Sequence, residues 1–138
     1  MRLPHALLTF VFLLGGVGVL LYAGPGRVWV RGSLGDVLIV PFLVHGLGVL
    51  IPGYTRWRIA GVAIFALGAE LLQLANLVAP DAPAWLHLTV GSTFDPWDLL
   101  GYTVGVGVAI LTSWGLAAAG YGAQSGSMPA PASSKKVV

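Results

Sequence analysis

The chain has 138 residues, a length that suits one domain, and 57% of them are hydrophobic while only 9% are charged, against about 25% charged in a typical soluble domain. So apolar a composition cannot cover a water-facing surface, which excludes a soluble globular protein and makes lipid the solvent. A formal net charge of +2 spread over so few residues is no argument for nucleic acid, and the lack of cysteine removes disulfides, thiolate metal sites and thiol nucleophiles.

A membrane-spanning helix needs about 20 mostly apolar residues. Four stretches meet or approach that length: residues 5–23, 34–51, 58–79 and 96–116. The expected fold is all-α, a polytopic membrane protein built as a four-helix transmembrane bundle over residues 1–118. Residues 119–138, rich in Gly, Ser, Ala and Pro, have the composition of a disordered tail. Tyr22, Trp29, Tyr54, Trp57, Trp85, Trp97, Trp114 and Tyr121 fall near the expected helix ends or in loops, where Trp and Tyr favour the membrane–water boundary.

The first stretch also has some features of a signal peptide: Arg2, an apolar run and small residues near Ala23. The run Ala6 to Leu21 exceeds the usual h-region of about 7–15 residues, and no A-x-A site follows it, so a retained helix is the preferred reading. Arg27 and Arg31 fall in the loop before the second helix. Ser33 and Asp36 then have the S-x-x-D spacing of a capping box ahead of an apolar run. His45 follows Asp36 by nine residues, about half a turn out of phase at 3.6 residues per turn. It reads as an isolated polar residue unless Pro41 kinks the helix.

The third helix contains GAELLQLAN, residues 68–76. With a start near Arg58, Glu70 lies about 18 Å along the axis at 1.5 Å per residue, inside a hydrocarbon core about 30 Å thick. Ionisable groups there cost about 2.5–3.5 kcal/mol and are usually functional. Gln73 and Asn76 follow at i+3 steps and share a broad face with Glu70. In the next loop, His87 accompanies Trp85. Asp95, Pro96 and Asp98 then fit the N-cap, the first and the third position of the fourth helix. Asp98 lies one turn before Tyr102 on the same face, and Gly101 and Gly105 form a G-x-x-x-G pair suited to close helix approach.

Both termini and the middle loop share one side, which holds Arg2, Arg56, Arg58, Lys135 and Lys136, against Arg27 and Arg31 on the other. That excess puts the N- and C-termini in the cytoplasm of a multi-pass cell-membrane protein. In this topology Asp36, Glu70, Gln73, Asp98 and Tyr102 collect in the outer half of the bundle. Asn76, Arg27, Arg31 and His87 are weaker members of the same outward-opening polar pocket. No metal-ligand spacing and no cofactor motif accompanies it, so no metal and no cofactor are expected.

The order Gly35–Asp36, then Glu70-x-x-Gln73, then F-D-x-W-D-L-L-x-Y-x-x-G at Phe94–Gly105 resembles domain-of-unknown-function family 2809 of small bacterial membrane proteins, and looks related to the VanZ-like proteins. The likeness covers most of residues 5–116. Matched position by position, it implies Asp36, Glu70, Gln73, Asp98 and Tyr102 as the family's polar residues. Such proteins tend to carry an Arg between the third and fourth helices. Here the loop APDAPAWLHLTVGSTFD has none, and His87 is the candidate to stand in for it.

Three functions compete. The first is a site that binds or modifies a lipid or cell-envelope head group, including a lipid-linked or anionic one. A catalytic version would use Glu70 or Asp98 as general acid or base, although no nucleophile motif names a reaction. The second is a non-catalytic packing or partner protein of the membrane, with homo-oligomers formed through glycine-rich helix faces. The third is proton-coupled transport with Glu70 as carrier, which requires polar residues continuing to the cytoplasmic side.

Overall fold

The computed structural model describes residues 2–75, 81, 83 and 96–121. Asn76, His87, Asp95 and tail residues 122–138 lie outside them. Four helices are long and apolar enough to cross a membrane: α1 (Arg2–Leu21), α2 (Arg27–Leu50), α3 (Thr55–Leu74) and α4 (Pro96–Tyr121). There is no strand among the described residues. The outer faces are apolar, with Phe10, Leu20, Ile64, Phe65 and Leu111 each more than half exposed, a surface compatible with hydrocarbon. Trp29, Tyr54, Trp57, Trp97 and Trp114 are exposed near helix ends, where amphipathic rings sit at head-group level.

α2 is the central element and packs against the other three helices, whereas α1 rests principally on α2. Only 11% of α1's most apolar window is buried. It is therefore a peripheral helix with apolar, exposed sides.

α2 begins at Arg27, about two turns before residue 34, where the apolar run alone places it. Gly26, at φ 69°, turns the chain into it, and a wide π-turn spans Val30–Leu34. This corrects the capping-box reading of Ser33 and Asp36. An N-cap residue has extended backbone, but Leu34 is already helical (φ −75°, ψ −30°) and no side-chain cap bond forms. Asp36 is an interior helix residue. Arg27 and Arg31 belong to the helix and not to a loop above it.

Pro41 lies buried within α2. It has no N–H, so the carbonyl four residues back, on Val37, loses its helical donor. That carbonyl faces Gly105 of α4: a Cβ on Gly105 would come within 2.7 Å of Val37 O and 3.0 Å of Val40 Cβ. One turn earlier, a Cβ on Gly101 would lie 2.8 Å from Asp36 Cβ. The G-x-x-x-G pair is therefore spent inside the chain, bringing α4 against α2. The buried residues of α4 continue that row at four-residue steps: Gly101, Gly105, Ala109, Ser113.

A tight turn joins α2 to α3, with Gly53 at φ 87° and Tyr54 at φ 52°. The Tyr54 carbonyl accepts from the N–H groups of Trp57 (2.9 Å) and Arg58 (3.1 Å), starting α3. The buried stripe of α3 is Arg58, Val62, Ala66, Ala69, Glu70 and Gln73, one helical face by period. α3 ends at Leu74, so Glu70 sits about one turn from its end and is shallower than the helix midpoint. Val40, Val44, Val62 and Ala109 form the core, ringed by Leu43, Leu47, Ile59, Tyr102 and Val106.

Candidate functional site

The Asp36 carboxyl is in hydrogen-bonding contact with Asp98 and with the Tyr102 hydroxyl, and Glu70 lies within electrostatic reach of Asp36 and Tyr102. The four residues come from three helices, and the reasons are local. The π-turn and the two close-packed glycines put Asp36 on α4. The one-turn spacing of Asp98 and Tyr102 places both beside it. The α3 stripe turns Glu70, 1% exposed, inward towards α2 and α4. A carboxylate can only accept hydrogen bonds, so a bond between two carboxyl groups holds a proton.

Gln73, 7% exposed, extends the buried face of α3 beyond Glu70. Arg31 donates from Nε to the Tyr22 carbonyl at 3.1 Å, tying the start of α2 to the end of α1. Arg27 is exposed at the first residue of α2. Asn76 and His87 lie outside the described residues. Among the described residues, no three His, Asp or Glu side chains are arranged to hold a metal ion.

A second polar cluster occupies the opposite end of the bundle. His45 is fully buried, and its Nδ1 is 3.0 Å from Nδ1 of His5, while its Nε2 is 2.8 Å from Thr112 Oγ1. Thr112 uses its single hydroxyl proton on the Val108 carbonyl at 2.8 Å. His45 Nε2 must then donate to Thr112, and a neutral His45 accepts at Nδ1 from His5 Nδ1–H. The Phe12 ring lies parallel to His45, with centroids 6.0 Å apart. Arg58, 6% exposed, donates from Nη2 to Thr55 Oγ1 at 3.0 Å and from Nη1 to the Ile51 carbonyl at 3.5 Å.

His45 is thus not isolated, which corrects the expectation from its phase. Asp36 and His45 do lie on different sides of α2, but α2 is central, so both sides are inside. Sequence pattern within one helix singles out neither His5 nor Arg58 as a member of this cluster. The available signal was positional: alternating helices put the start of α1, the end of α2 and the start of α3 at one level.

Between the clusters lies the layer of Val40, Val44, Val62 and Ala109. Asp36 and His45 are nine residues apart, about 13 Å along the axis.

Four helices long and apolar enough to cross a membrane, three of them packed on the central α2, define an all-α bundle of the kind compatible with a membrane protein, with an acidic cluster drawn from three helices at one end. Residues 26–106 match the family described as "Protein of unknown function (DUF2809)", and the chain belongs to that family. The match takes in every member of the acidic cluster, as well as His45 and Arg58, and leaves out α1. No curated protein and no solved structure matches the chain.

Proposed function

We propose that this is a multi-pass cell-membrane protein, termini in the cytoplasm, whose cluster of Asp36, Glu70, Asp98 and Tyr102 binds a lipid or cell-envelope head group from the outer leaflet. The observation that carries this reading is the contact of Asp36 with Asp98 and Tyr102 beside a buried Glu70. Burying a like-charged group inside a membrane is a costly way to glue helices. The acceptor-rich donor set suits a head group bearing ammonium or hydroxyl hydrogens and repels an anionic one. The relationship to VanZ-like bacterial proteins belongs with this inference, since it rests on the same residues. Gln73 lines the approach, and Glu70 or Asp98 is the candidate acid or base should the head group be modified.

Transport has less support, because Val40, Val44, Val62 and Ala109 separate the acidic cluster from the His45 end. The test is lipid profiling of the protein purified from membranes, native against Glu70→Gln and Asp36→Asn. A depleted head-group class in both variants, with retained helicity, is the expected result. Identical profiles would leave the packing role as the better reading.

A further inference from the structure

The end of the bundle around His45 has a charge its own fold does not answer. Arg58 carries five N–H donors. Among the described residues it makes two bonds, one of them at 3.5 Å, and its buried Nε has no hydrogen-bond partner. Ser113 Oγ, one turn past Ala109 on the buried face of α4, is also without a partner. The side-chain carboxylates of the chain are Asp36, Glu70, Asp81, Asp95 and Asp98, and none lies in α1, in the His45 half of α2, at the start of α3 or at the end of α4. The imidazoles of His5 and His45 are committed to each other and to Thr112. Buried charges in proteins are normally paired, so the counter-charge for this guanidinium has to come from outside the side chains of this bundle.

The position is specific. Gly48 leaves the space that the guanidinium occupies: a Cβ there would collide with Arg58 Nη1 and with the His5 ring. Exposed Tyr54 and Trp57 flank the turn into α3, and Arg56 stacks over Trp57 at 5.6 Å, which marks this level as the membrane–water boundary. Arg2 and Arg56 are exposed at the same end and add an attractive field for anions. Guanidinium groups engage phosphate through two parallel N–H bonds, and the Nε that such a fork uses is the unpartnered atom.

We propose that Arg58, seated against Gly48 and His5, forms a phosphate-binding site at the membrane boundary opposite the acidic cluster, its ligand the phosphate of an anionic lipid head group. The acidic site and this one stand on different observations, and either can fail alone.

The test uses the full chain in detergent micelles, offered equal amounts of phosphatidylglycerol and a phosphate-free glucosyl diacylglycerol of the same acyl chains, with bound lipid counted by native mass spectrometry. The native protein is expected to retain the phosphate lipid over the glycolipid on the order of tenfold. Arg58→Gln should bring the two near parity, and Gly48→Ala, which keeps every charge but displaces the guanidinium, should cut the preference sharply. Arg56→Gln should keep most of it. If Arg58→Gln does not fold, Arg58→Lys and Gly48→Ala carry the comparison, both expected to lose preference.

A parallel arm adds inorganic phosphate to lipid-free protein and follows thermal unfolding. No shift assigns the lipid source, whereas a shift abolished by Arg58→Gln assigns free phosphate to the same site. Parity between the two lipids in the native protein with no effect of inorganic phosphate overturns the proposal, as does an undiminished preference in Arg58→Gln or Gly48→Ala.

Discussion

His45 and Asp36, towards the two ends of this bundle, meet the problem of buried polarity in opposite ways. Around His45, donors and acceptors alternate: His5 gives to His45, His45 to Thr112, and Thr112 to the Val108 carbonyl. Around Asp36, carboxyl meets carboxyl, and a third carboxyl approaches from α3. The first pattern is how a helix interface is fastened together. The second assembles only by holding a proton between carboxyl groups, and costly arrangements of this kind persist chiefly where a site has a task. The comparison teaches that burial alone does not single out function, since His45 and Glu70 are both almost fully buried. What distinguishes them is the company they keep: imidazole and hydroxyl around His45, further carboxyl groups around Glu70.

If that contrast is right, substitutions at the two ends behave differently. The largest loss of stability is expected for His45→Ala, which removes two hydrogen bonds, leaves His5 and Thr112 facing a void, and should cost about 2–4 kcal/mol. Equilibrium unfolding in mixed micelles measures it. A change below about 0.5 kcal/mol, a surface-like value, would remove the fastening role of that end. Next in size is Gly105→Ala, where the new methyl meets the Val37 carbonyl and Val40; overpacking of this kind costs about 1–3 kcal/mol. The same assay should show α4 loosening from α2.

Smaller still is Glu70→Gln, expected to change stability by no more than about 1 kcal/mol in either direction, because it removes carboxyl repulsion while the isosteric amide keeps its hydrogen-bonding capacity. A loss as large as that of His45→Ala would make the acidic end structural and erase the distinction. Smallest is Gly107→Ala. A Cβ there meets nothing within 4 Å, so the helix should gain up to about 1 kcal/mol from the better propensity, a control showing that glycine number is not itself what packs this bundle.

Hydropathy made the four helices legible, because a chain with so few charges can hide them in only one solvent. Depth along each helix and one-turn spacing put Asp36, Glu70, Asp98 and Tyr102 at one level of the bundle, which is a statement of place and not of role. The start of α2 was not. RVWVRGSLG carries two arginines and two glycines and reads as a loop, yet α1 gives the segment a partner in the Tyr22 carbonyl that Arg31 binds. The His5–His45 pair was also out of reach of periodicity within one helix, since the contact joins residues forty positions apart and depends on α2 being covered on both sides. Gly48 shows the same limit, as its role is to make room for Arg58 of the following helix.

The layer of Val40, Val44, Val62 and Ala109 has an electrical consequence. A transmembrane voltage falls across whatever is dry, and here the fully buried aliphatic side chains form the insulator between the carboxyl groups and the guanidinium. An elementary charge carried across the whole potential would exchange about 2.3 kcal/mol per 100 mV, but none of Val40, Val44, Val62 and Ala109 is ionisable. In a membrane crossed as proposed, each end would stay close to the potential of its own compartment, so charge-displacement recordings on oriented protein should detect no voltage-driven step.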